Sequence, residues 1–232
     1  MTLLTIVNDA QAVLNLPITS TVVTNTGDTQ RQLLRLCNMA GREIARAHPW
    51  QILVTERSFT TTATEQQTGE TLPADFGWVV DDTLWNRTTT DRVWGPLSSQ
   101  SWQAQKATGT SVAWSQFRIR ANSFYFLPSP TAGQTIYYEY VSKYWCESSG
   151  GTDQEKWAAD TDVGRIDEYL LTLGLIWRWK AAKGLYYEEE RAEFDRELSA
   201  AKARDGARRR TSIAGPSTRP FGWGKIPEGS WQ

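Results

Sequence analysis

The apolar period of this chain changes twice, and that change constrains the fold more than any other feature. Up to Pro49 the hydrophobic residues recur at helical spacing. From residue 50 to about 146 they follow strand patterns, and from about 162 the helical spacing returns. Leu3, Ile6, Val7, Ala10, Val13 and Leu14 mark a first helix over 2–15, with Thr2 as its cap and Pro17 beyond its end. Leu33, Leu36, Cys37, Ala40, Ile44 and Ala47 line one face of a second helix, 28–47. Arg31, Arg35, Arg42, Glu43 and Arg46 lie largely off that face.

In the middle, Thr55–Thr64 reads as a strand around Phe59, and Leu72–Gly77 as a turn leading into a strand at Trp78–Trp85. Phe117–Leu127 predicts a hairpin turning at Ala121-Asn122. Gln134–Trp145 carries apolar bulk on both faces, which predicts a central strand or one packed on two sides. Residues 147–161 form a polar connector. Helices are expected at 162–183, broken by Gly184, and at 186–205, where Phe194 and Leu198 mark a thin buried stripe among charges. The last residues show no period. The expectation is an α+β chain: a helical bundle from 1–49 plus 152–206, a β-rich insertion at 50–151 resembling a sandwich or barrel, and an extended C-terminal arm at 207–232.

Charge excludes little by its total and more by its distribution. There are 25 Lys+Arg and 26 Asp+Glu, a net charge of −1, so no overall bias favours nucleic acid or an anionic membrane. From residue 200 onward, however, seven Lys/Arg face two Asp/Glu, against 18 and 24 before it. The body is acidic and the tail basic. No apolar run approaches the roughly 18 residues that span a bilayer. The first residues lack the basic region of a secretion signal, so a soluble protein made in the cytoplasm is expected. Two cysteines, Cys37 and Cys146, and one histidine, His48, are too few for a structural zinc site, and no metal or cofactor is expected. Two distant thiols suit a reducing compartment, with a Cys37–Cys146 bridge as the open alternative.

The chemistry-bearing motifs are equally sparse. No phosphate-binding Gly-x4-Gly-Lys loop, dinucleotide fingerprint or nucleophile elbow occurs. Ser199-x-x-Lys202 lacks its companion motifs. His48 reads as a helix-end cap. Asp81 and Asp82, adjacent on the expected strand, would point to opposite faces, one of them pairing with an arginine. Asp160-x-Asp162-x-Gly164 lacks the later ligands of a calcium loop and reads as a helix N-cap region. An enzyme is therefore not expected.

Tryptophan is the compositional outlier, at 12 of 232 residues. Trp78, Trp85, Trp94, Trp102 and Trp114 are spread over turns and strands with few basic neighbours, which favours cores and subunit interfaces over base stacking. An aromatic-rich, monomeric carbohydrate-binding module is the rival reading. Arg208-Arg209-Arg210, followed by Arg219, Phe221 and Trp223, suits either a solvated face or a tail that orders when it docks.

Several strings, in order, resemble the head-to-tail adaptor family of tailed bacteriophages, of the tail tubular protein A type found in short-tailed phages. They are Leu14-Asn15-Leu16-Pro17, Gln32–Asn38, Gly41–Ala45, His48–Leu53, Leu72–Phe76, Asp82–Arg87, Gly95-Pro96-Leu97 with Trp102, and Glu139–Ser142. The resemblance implies a non-enzymatic virion protein, a dodecameric ring under the portal, and a nozzle-type tail component below it. It also implies a lumen through which DNA passes without sequence-specific binding, and no membrane partner. The C-terminal segment would reach the portal through Arg208, Arg209, Arg210, Arg219, Phe221 and Trp223. Trp78, Asp81, Asp82, Trp85, Trp94 and Trp102 are the candidates for subunit or tail contacts.

Overall fold

The computed structural model describes residues 1–108 and 114–206, and they form a mixed helix-and-sheet fold of five helices and three antiparallel sheets. Helix α1 spans Leu3–Val13 and starts in a reciprocal cap between the hydroxyls and backbone of Thr2 and Thr5. Helix α2 spans Asp28–Ala47. The Asn25 side chain accepts from the Gly27 N–H in front of it, and Asp28 complements the helix dipole. Both helices match their sequence period because one side of each is buried, Leu3, Ile6, Val7 and Ala10 in α1 and Leu33, Cys37, Ala40 and Ile44 in α2.

Strand β1 (Val54–Thr60) is shorter than expected. Thr61 leaves the strand and is held by Gln134, and the chain then enters β2 (Gln66–Thr71) in a different sheet. The expected strand 78–85 is also two pieces, β3 (Phe76–Val79) and β4 (Trp85–Asn86). Between them the Thr83 hydroxyl donates to the Val80 carbonyl and accepts from the Glu139 N–H, and Asp82 takes a left-handed φ of 67°. Asp81 and Asp82 thus sit in a turn, not on opposite faces of a strand. Strand β5 (Asp91–Arg92) follows. Helix α3 (Ser99–Thr108) then lies in a region expected to contain only strands and turns; its first turn is fixed by the Ser98 hydroxyl accepting from the Ser101 N–H.

Strands β6 (Gln116–Arg120) and β7 (Ser123–Leu127) form the expected hairpin, with Ala121 and Asn122 both at positive φ as a tight right-twisted turn requires. Strand β8 (Thr135–Ser142) is central, pairing with β1, β3 and β4. It therefore needs apolar residues on both sides. Ile136, Tyr138 and Tyr140 enter one core with Phe59, Phe124 and Phe126, while Val141 enters the other.

A small sheet of β9 (Cys146–Glu147), β10 (Asp153–Gln154) and β11 (Val163–Gly164) spans the polar connector and takes the first residues of the helix expected at 162–183. This sheet delays the next helix. Helix α4 runs over Glu168–Ala182 with Asp167, not Asp162, as its N-cap. Asp160 and Asp162 instead organise a clasp. The Asp160 carboxylate accepts from the N–H groups of Val22 and Val23, and that of Asp162 from those of Ala158 and Ala159. The carbonyls of the same two residues accept the first N–H groups of α1, from Leu4 and Leu3.

Helix α4 is buried almost all round, and α1, α2 and helix α5 (Glu188–Arg204) pack against it. Two apolar clusters result. One joins the helices to Trp145, Cys146 and Trp157; the other lies between the β1–β8 and β2–β7–β6 sheets. Cys37 and Cys146 are both buried and free.

Candidate assembly surfaces

Helix α2 places its arginines by simple geometry. Arg31, Arg35, Arg42 and Arg46 fall, at 100° per residue, within about 60° of arc over about 22 Å of helix. All four are exposed, on the side opposite the buried Leu33, Cys37 and Ile44. Met39, 58% exposed, lies beside them. Among the described residues only Arg42 meets a carboxylate, Glu155 at 3.6 Å. Guanidinium groups left free in this way suit a polyanionic partner.

Helix α5 carries the opposite sign at its start. Glu188, Glu189, Glu190, Glu193, Asp195 and Glu197 precede the basic end at Lys202 and Arg204, with Arg191 and Arg196 between them. Lys180 donates to Glu190 and holds its carboxyl below the usual range. Glu193 accepts from the Tyr169 hydroxyl at 3.2 Å. Phe194, Leu198 and Ala201 face α4 with Glu190 and Glu193 turned toward it, while Glu188, Glu189 and Asp195 are exposed.

Arg178 of α4, only 5% exposed, ties α4 to α2. It pairs with Glu43 of α2, donates to the Gly174 carbonyl at 2.7 Å and lies over the Trp177 ring at 4.3 Å. Burial pulls its pKa down, and Glu43 works against that.

The sheet side gathers some of the expected contact residues and disperses others. Arg92 is the organiser. It pairs with Asp82, lies opposite Trp85 in the β4–β5 pair, and stacks over Trp94 at 4.1 Å. Trp94 is 40% exposed. Asp81 is exposed in the same turn. Trp78 is half-buried elsewhere, in a cleft of about 390 Å³ whose walls include Arg42, Arg46, Lys143 and Trp145. Trp102, on α3, is 4% exposed and meets Tyr125 edge-on, so its indole belongs to the interior of the subunit. Arg208, Arg209, Arg210, Arg219, Phe221 and Trp223 lie outside the described residues. Of its three partners only Trp94, two residues on, is local to Arg92; Asp82 and Trp85 reach it through the turn at 81–82 and the β4–β5 pairing.

Reactive groups are few on these surfaces. Burial raises both thiols, Cys37 and Cys146, to about 12, which keeps them protonated and unreactive at neutral pH. His48 ends α2 with its Nε2 3.3 Å from Asp205, a carboxylate that also accepts from the Gln51 N–H. Among the described residues Trp50, Trp102, Trp145, Trp157 and Trp179 are buried, and only Trp94 and Trp114 are exposed.

Comparison with known proteins adds one match. The model of a family described as SU10 adaptor protein matches residues 1–220. No curated protein matches the chain.

Proposed function

The chain belongs to the SU10 adaptor protein family, and from that premise we propose that it closes into a ring of about twelve copies between portal and tail. The coarser role follows from membership: a structural bacteriophage adaptor, part of the virion, that contacts other head and tail components. The finer reading, close to the tail tubular protein A type, puts the portal above the ring, a nozzle-type component below it and DNA in its lumen.

One observation carries the ring. Two separate outward surfaces of unlike charge, the arginine stripe of α2 and the acidic start of α5, flank the buried helix α4. A ring needs two different faces on each subunit, whereas a two-fold dimer uses one face twice. The function is then mechanical: a rigid helical layer holds two contact faces at a fixed angle, and that angle sets the copy number. In this reading the arm carrying Arg208, Arg209, Arg210, Arg219, Phe221 and Trp223 engages the portal. Trp94 and Asp82 lie on a separate, sheet-side surface suited to the next tail component.

Mass by light scattering, with imaging of particles, tests the proposal on the chain alone and mixed with its portal. A closed particle of about twelve copies, alone or only on the portal, is the expected result. A monomer with no affinity for the portal overturns it.

A further inference from the structure

We infer that the arginine stripe of α2 on one copy docks onto the acidic first half of α5 on the next copy. This rests on the ring reading for its biological setting, but its evidence is the pair of surfaces.

The first observation is the stripe itself. Arg31, Arg35 and Arg46 have no carboxylate partner among the described residues, although the body of the chain is net acidic. Four cations aligned along one helix repel one another, an arrangement that an acidic partner relieves. Met39 lies exposed alongside, supplying an apolar contact between the charges.

The second is the complement. Of the six acids from Glu188 to Glu197 on helix α5, Glu190 and Glu193 are held by Lys180 and Tyr169, and Asp195 and Glu197 lie 4.0 Å from Arg191 and Arg204; Glu188 and Glu189 are left exposed in the first turn with no cation beside them among the described residues. Beside the acids the outward side presents small residues, Ala192 and Ser199, against which a methionine can pack. The basic end at Lys202 and Arg204 makes the helix polar along its length, so only one half attracts the stripe.

The third is placement. A β-carbon on Gly174 would lie 3.0 Å from Ala40 of α2 and 3.4 Å from Phe194 of α5, so both helices pack directly on α4. The stripe of α2 faces away from this junction, and so do the exposed Glu188 and Glu189 of α5. The two surfaces therefore serve different neighbours, and matching them between copies gives a head-to-tail contact that propagates. Duplex DNA is the competing polyanion for the stripe, but it leaves the acidic face of α5 without a role.

Two full-length variants test the inference by charge exchange: Arg31→Glu with Arg35→Glu, and Glu188→Lys with Glu189→Lys. All four residues are exposed, and circular dichroism checks that each variant folds. Sedimentation at low salt is expected to show self-association of the unaltered chain, weakened about tenfold or more in either variant and by added salt. An equimolar mixture of the variants should recover association, because every altered face then meets an altered partner. Three results overturn the inference: an unaltered chain that stays monomeric, association indifferent to either reversal, or variants that do not recover on mixing. If the stripe variant also loses binding to a duplex oligonucleotide and mixing restores nothing, the stripe belongs to DNA. The ring reading is judged separately, by the particle formed on the portal, and survives any of these results if that particle is closed.

Discussion

Gly41 of α2 lies against the indole of Trp145: a β-carbon at this position would come within 2.3–2.5 Å of three carbons of its six-membered ring. The glycine is not there for backbone freedom, since it sits in mid-helix. It is there because Trp145, fully buried, needs the space of its side chain. Gly41→Ala should therefore destabilise despite the better helix propensity of alanine, by about 1–3 kcal/mol from overpacking. Urea unfolding followed by tryptophan fluorescence measures it; a stabilised variant would show that the indole moves aside at no cost.

Arg178 is buried and depends on Glu43, which is itself half-exposed. Glu43→Gln should destabilise by about 1–3 kcal/mol, because it weakens the compensation of a buried cation. Arg178→Met, which keeps the volume and removes the charge, should cost less than Arg178→Ala. Thermal unfolding of the three variants gives the order.

The two thiols set an alkaline limit. Their folded pKa, about 12, lies above the unfolded value near 9, so the stability they contribute is present below pH 9 and falls as pH rises toward 12. Replacing both cysteines by alanine should flatten the loss of stability between pH 9 and 12. A disulfide-exchange reagent at pH 8 should find no reactive thiol in the folded chain and two after denaturation.

Asp205 ties the end of α5 to the start of the strand region through the Gln51 N–H and His48. Asp205→Ala should speed hydrogen exchange at the Gln51 amide and cost about 0.5–1.5 kcal/mol. Unchanged exchange at Gln51 would mean that water replaces the carboxylate without loss.

Truncation after Ala207 should leave both apolar clusters whole, since every described residue in them precedes that point. The unfolding midpoint is expected to hold while portal binding is lost. Retained binding at full affinity would assign the portal contact to the body of the chain.

Legibility in the sequence followed the range of the interactions. Helix α2 was readable to the residue because its two faces differ in polarity along the whole of its length, and the hairpin at Ala121-Asn122 because its turn residues are themselves the signal. Helix α3 was not readable: it buries a single tryptophan, Trp102, and has no apolar stripe to show a period. The turn at Asp82 was hidden for a different reason. Residues 78–85 look like strand locally, and only the hydroxyl of Thr83, bonded to Glu139 of β8, diverts the chain.

The sequence by itself determined the order of helix, strand and helix, the arginine stripe on α2 and the acidic start of α5, because periodicity and charge along one element are local properties. Tertiary structure alone decided that Asp160 and Asp162 clasp the start of α1 and the 17–27 connector, that Arg92 gathers Asp82, Trp85 and Trp94, and that Trp145 occupies the place left by Gly41. Apart from Trp94 beside Arg92 and the Ala158 and Ala159 amides beside Asp162, each of these joins residues distant in sequence. Their partners are chosen by strand pairing and close packing, which act only once distant segments have met.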